Sequence, residues 1–148
     1  MNRWPHSLRV KVQSTDGSAV ERLLVGLRVR HELRTYYSTL LGLTDTDGQI
    51  IVTGEQLAGD YAESQKDFPM DYKLPIAEWD GNLLVDLAGG QGFEQTRASA
   101  LGAPLLQDRF RQMWREARNT DVASLSVAVA MDGGDAVALL TSRRSGPP

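Results

Sequence analysis

The stretch Thr44-Asp45-Thr46-Asp47-Gly48-Gln49-Ile50-Ile51-Val52 constrains the fold more than any other part of the chain. A polar cluster ending in Asp-Gly and opening onto three β-branched apolar residues is a local signal for a turn feeding a strand. Gly48 can take the positive φ that such turns require, while Asp45 and Asp47 can fold back onto nearby backbone donors. The stretch carries no chemistry. It points to a β scaffold.

Period-two alternation recurs on either side of it. Leu8, Val10 and Val12 alternate with Arg9, Lys11 and Gln13, one face apolar and one polar. Asp16-Gly17 marks the next turn. From Leu23 to Leu33, Val25, Leu27, Val29, His31 and Leu33 share one face, with Gly26, Arg28, Arg30 and Glu32 on the other. Tyr36 to Leu43, Gln49 to Thr53 and Leu83 to Leu87 complete the expected strands, the last entered through Asp80-Gly81.

Two regions read differently. Thr53 and Gln56 resemble a capping box, but Gly54 and Gly59 argue against a stable helix. A single turn at residues 54–57 and a strand from about Tyr61 to Gln65 are therefore expected. Pro69 and Pro75 bracket an extended segment, and Gly89-Gly90-Gln91-Gly92 opens a loop to about Ala103. Pro104 suits a first helical turn, and Leu106, Phe110, Met113, Trp114 and Ala117 form an amphipathic stripe to about Arg118. Ala123 to Met131 and Ala136 to Thr141 read as a hairpin about Asp132-Gly133-Gly134-Asp135. That hairpin either completes the β scaffold or offers an edge for a strand from another chain.

With 148 residues, the chain has the length of one domain. The expected fold class is mainly β: an antiparallel β-sandwich of prealbumin/Ig-like type over residues 1–95. A C-terminal amphipathic helix and a terminal β-hairpin over 96–142 pack on the same domain, and residues 143–148 form a disordered tail.

The Thr44-x-x-x-Gly48 turn and short strand, followed by Leu57-Ala58-Gly59-Asp60-Tyr61, form a pattern similar to that of prealbumin-like β-sandwich domains. It looks most like the carboxypeptidase regulatory-like and collagen-binding B-type modules, over about residues 8–88. The resemblance implies a small antiparallel sandwich of about seven strands. The chain departs from it in the longer gap between Gly48 and Leu57, in Ile50 where an aromatic is common, and in the helix and hairpin after residue 96. The enzymatic branch of the transthyretin group relies on histidines, an arginine and a Tyr-Arg-Gly-Ser tail; this chain ends Thr141-Ser142-Arg143-Arg144-Ser145-Gly146-Pro147-Pro148, so that activity does not carry over.

The residue inventory narrows the chemistry. There is no cysteine, which excludes disulfides, thiolate metal sites and cysteine nucleophiles. His6 and His31 are the only imidazoles, on separate segments, and His31 falls on an apolar strand face where a hydrogen-bonded core role is expected. Asp45-x-Asp47 begins like a calcium loop, but Gln49, Ile50 and Gln56 stand where further ligands and a bidentate Glu are needed. Gly90-x-Gly92 lacks the third glycine of a dinucleotide loop, and no Walker-type Gly-Lys-Ser/Thr exists. No Gly-x-Ser-x-Gly is present. Asp60, Glu63, Asp67, Asp71, Glu78 and Asp80 could hide a carboxylate pair, but scattered acids at this density read as a solvated face. No metal, cofactor or catalytic residue is expected.

Charge is unevenly distributed. Residues 1–43 carry seven basic and three acidic side chains, residues 44–95 two and eleven, and residues 96–148 seven and five. The net of −3 argues against nucleic acid, and strands from the three blocks are expected to interleave. Neither a signal peptide nor a membrane span is expected, so a cytoplasmic location is.

These features suggest a non-enzymatic structural or protein–protein interaction module, a component of a larger bacterial assembly, binding a protein partner or itself. Phe110, Met113 and Trp114 are the candidate partner anchors, unless their stripe simply covers an open face of the scaffold. The alternative is a small-ligand or carbohydrate-binding module using Trp79, Tyr72 and Asp80.

Overall fold

The computed structural model describes residues 3–31, 34–65, 82–87, 104–117 and 127–142. In chain order the elements are β1 (Ser7–Ser14), β2 (Leu24–His31), β3 (Arg34–Leu43), β4 (Gln49–Thr53), α1 (Gly54–Gln65), β5 (Asn82–Leu87), α2 (Pro104–Glu116), β6 (Val127–Ala130) and β7 (Asp135–Ser142). The fold is mainly β. The strands form a three-stranded sheet in the order β4-β1-β7 and a four-stranded sheet in the order β3-β2-β5-β6.

Inward-facing residues of both sheets share one apolar cluster. Leu8, Val10, Val12, Ala138 and Leu140 come from the first sheet, and Val25, Leu27, Val29, Leu83, Val85 and Val129 from the second. In the first sheet the pleat separates the faces as the alternation demands. Leu8 pairs with Val52 and Val10 with Ile50 on the inner side, while Arg9 pairs with Ile51 on the outer side. β2 behaves differently. It lies between β3 and β5, and every residue from Leu24 to Val29 is buried, Arg28 included.

The turns follow from local chemistry. Gly48 takes φ +72°, and a β-carbon there would collide with the Val12 carbonyl oxygen, so both torsion and space require glycine. The Asp45 carboxylate accepts the N–H groups of Asp47 at 2.8 Å and Gln49 at 3.0 Å, closing the turn that leads into β4. Thr44 locks the end of β3 to the approach to β2. Its hydroxyl donates to the Val20 carbonyl at 2.6 Å and accepts the Leu23 N–H at 3.0 Å, and its own carbonyl accepts the Arg22 N–H at 2.8 Å. These bonds flank Arg22, which holds a left-handed φ of +56°.

Two expectations are corrected. Residues 54–65 form a helix, not a turn and a strand. The capping box is reciprocal: the Thr53 hydroxyl accepts the Gln56 N–H at 3.1 Å, and the Gln56 side-chain oxygen accepts the Thr53 N–H at 3.0 Å. Gly54 does not weaken this start. A β-carbon there would strike the Pro5 carbonyl, and the Gly54 N–H donates to the His6 carbonyl at 2.9 Å, so the N-terminal segment crosses the helix at this point.

The expected terminal hairpin is divided between the sheets. β6 pairs antiparallel with β5, whereas β7 pairs with β1. The Asp132–Asp135 turn lies where expected, with Gly133 at φ +86°, but it carries the chain from one sheet to the other. Within residues 1–95 the described strand pairs are antiparallel, as expected, but β1 and β7 run parallel from Ser7↔Asp135 to Ser14↔Ser142. The residues before β1 hold that alignment: the Arg3 N–H donates to the Met131 carbonyl and the His6 N–H to the Gly134 carbonyl. The segment between Pro69 and Pro75, the loop from residue 89 and the tail 143–148 lie outside the described residues.

A candidate interaction surface on the three-stranded sheet

Among the described residues, three of the four large apolar side chains most open to solvent lie on one surface, the outer face of the three-stranded sheet. Ile51 is 58% exposed, Val137 65% and Leu139 53%. The register explains the grouping. Arg9 stands opposite Ile51 on one side and Val137 on the other, and Lys11 stands opposite Leu139. Arg9 and Lys11 are exposed, so the face presents two cations along its central strand with apolar residues on both flanks.

β7 is the unusual member. Its inner face is Ala136, Ala138 and Leu140, while its outer face carries the bulkier Val137 and Leu139. Ala138 is fully buried although its neighbours in sequence are more than half exposed. Volume alone would turn the strand over, but a one-residue slip would move every side chain to the opposite face and break the register with β1. β7 is also a terminal strand of its sheet, and among the described residues β1 is its only paired neighbour.

One polar cluster closes the end of this face. Asp135 accepts a hydrogen bond from the Ser7 hydroxyl at 2.8 Å and lies 3.0 Å from His6 Nδ1. The contact to His6, then that to Ser7, holds the Asp135 carboxyl below the usual carboxylate range. The two side chains are 82% and 74% exposed, so this is a wet pair at a strand start. Asp135 contacts both other groups, an order unlike a nucleophile activated through histidine.

The residues singled out from sequence are scattered. Phe110 is buried in the core, and Met113 and Ala117 pack against the same cluster. Trp114 alone of the proposed anchors faces solvent, its ring stacked on Phe110 at a centroid distance of 5.7 Å. The structure therefore brings Phe110 and Met113 together as covering residues of α2, which lies against β3. Tyr72, Trp79 and Asp80 lie outside the described residues, as does the side chain of His31. Asp45 is engaged in its turn, and among the described residues no three His, Cys, Asp or Glu side chains gather as a metal site would require. Among the same residues, no helix is long and apolar enough to cross a membrane.

Sequence reasoning missed the outer sheet face. The alternation of β1 was visible, but Ile51, Val137 and Leu139 meet only through the pairing of β1 with β4 and β7. No family model, curated protein or solved structure matches the chain.

Proposed function

We propose that this chain is a non-enzymatic protein-interaction module, a structural component of a larger assembly, which associates through the outer face of its three-stranded sheet. The exposed set Ile51, Val137 and Leu139 around Arg9 and Lys11 carries this reading. Scattered surface apolar residues need no explanation, but three on one sheet face, two of them neighbours on β7, favour a protein contact. Two central cations add selectivity, steering an acidic or polar rim onto the face.

The scaffold fits such a role. Two sheets about one apolar cluster are compatible with a β-sandwich, with α2 added against β3. A rigid sheet can present a contact face with little ordering cost on binding.

The test is a tagged pull-down of the full chain from its native host at two salt concentrations, with Ile51→Lys, Val137→Lys and Leu139→Lys combined in a second sample. The expected result is a stoichiometric protein, the chain itself included, retained by the native sequence and lost from the triple variant. Retention should weaken at high salt as Arg9 and Lys11 are screened. Equal recovery by the two samples would remove the sheet face from the account.

A further inference from the structure

We infer that β7, the margin of this face, is a self-complementary edge to which a second copy of the chain adds by antiparallel β7–β7 pairing. The inference rests on the interaction reading above and specifies its partner. Strand addition at an open edge supplies main-chain hydrogen bonds, with alternate side chains setting specificity.

Three observations select a second copy. The first is the edge itself: β7 runs eight residues in unbroken register with β1, with no proline, lysine or bulge to obstruct a further strand. The second is the outward bulk of β7. With the two-fold axis at Leu139, the two Leu139 side chains face each other and each Val137 stands diagonal to the Leu139 of the second copy. Directly opposed residues share a face, so Ala138 and Leu140 stay inward in both copies and the pleat continues unbroken. The result is a six-stranded sheet, β4-β1-β7-β7-β1-β4, whose outer surface closes Val137 and Leu139 over the join.

The third observation is charge order. Asp132 and Asp135 stand at the start of β7, while the sequence after Ser142 continues with Arg143 and Arg144. A strand acidic at its beginning and basic after its end repels a parallel copy and attracts an antiparallel one. Face-to-face stacking of two such sheets would instead oppose Arg9 and Lys11 to their own copies. The edge joins the copies while keeping these cations one strand away.

Sedimentation of the full chain over a wide concentration range tests the inference. The expected species has twice the 16.3 kDa mass of one chain. It should dissociate to a single chain on Val137→Lys with Leu139→Lys, and persist in Ile51→Lys, which alters the same face far from the join. Because the chain has no cysteine, Leu139→Cys should cross-link two copies under oxidation, while Val137→Cys, opposite Thr141 of the second copy, should not. A native chain that stays monomeric, a dimer indifferent to the lysine pair, or cross-linking at 137 in place of 139 would each overturn the inference. A monomer that still retains a different protein, lost from the lysine pair, would overturn it and leave the interaction reading standing. A monomer that retains nothing would remove both.

Discussion

The two sheets treat their outer faces in opposite ways. Along β1, outward-facing Arg9 and Lys11 stay in solvent, with Ile51, Val137 and Leu139 beside them. Along β2, the residues on both faces are buried: Arg28 keeps 9% of its surface, and Ser38 and Leu84, its register neighbours, keep 8% and 9%. The same alternating pattern in sequence therefore marks a half-buried strand in one sheet and a fully buried one in the other. α2 packs Phe110 and Met113 on the apolar cluster and lies against β3, a strand of the second sheet, whereas Arg9 and Lys11 on the outer side of β1 are exposed. An exposed apolar set on the uncovered sheet is thus the more informative surface.

The sharpest way to break this contrast is a charge at equivalent outward positions. Leu84→Lys should cost at least about 3 kcal/mol or prevent folding, because it buries an unpaired ammonium. Val137→Lys should change the stability of the dissociated chain, measured at high dilution, by no more than about 0.5 kcal/mol, as an exposed substitution. Denaturant unfolding of both variants decides it, and similar losses would erase the distinction between the faces.

α2 offers the next test. Phe110→Ala should lose about 3–5 kcal/mol of stability, the cost of emptying a buried aromatic site. Trp114→Ala should lose about 1 kcal/mol, mainly its stacking on Phe110. If the two losses are equal in chemical unfolding, α2 is not divided into covering and exposed sides. Gly54→Ala should cost about 1–3 kcal/mol, since the new methyl group meets the Pro5 carbonyl and the N-terminal segment must shift. A neutral Gly54→Ala would mean that the segment leading into β1 does not lie across α1.

The smallest effect concerns pH at the end of the exposed face. Asp135 has a lowered folded-state pKa, so its contribution is present above the unfolded carboxylate value and fades as pH falls through the folded one. Carboxyl NMR titration should find Asp135 below its model-peptide value, and Ser7→Ala should raise it. An unshifted native titration would show that the Ser7 and His6 contacts are not kept in solution.

What was legible in the sequence follows the range of the interactions. β4 and α2 were readable because Asp45, Gly48 and Pro104 act within a few residues of themselves. Thr53 and Gln56 carried the signal for α1, but Gly54 argued against it. That glycine answers to Pro5, almost fifty positions away. Thr44 gave no warning of its role, since its partners Val20 and Leu23 lie in another turn. The Gly133-Gly134 turn was visible, yet whether it closes a hairpin or changes sheets depends on β1 and β5 competing for β7 and β6. The candidate surface was hidden for the same reason: it comes from three segments joined only by register.

The central claim, that this chain associates with a second copy through the uncovered sheet, is tested most directly by the thermal midpoint as a function of protein concentration. Association stabilises the folded state by mass action, so the native chain should melt at a temperature that rises with concentration. The variant carrying Val137→Lys and Leu139→Lys should fold and melt at one temperature throughout. A native midpoint independent of concentration, or the same rise in the double variant, would contradict the account.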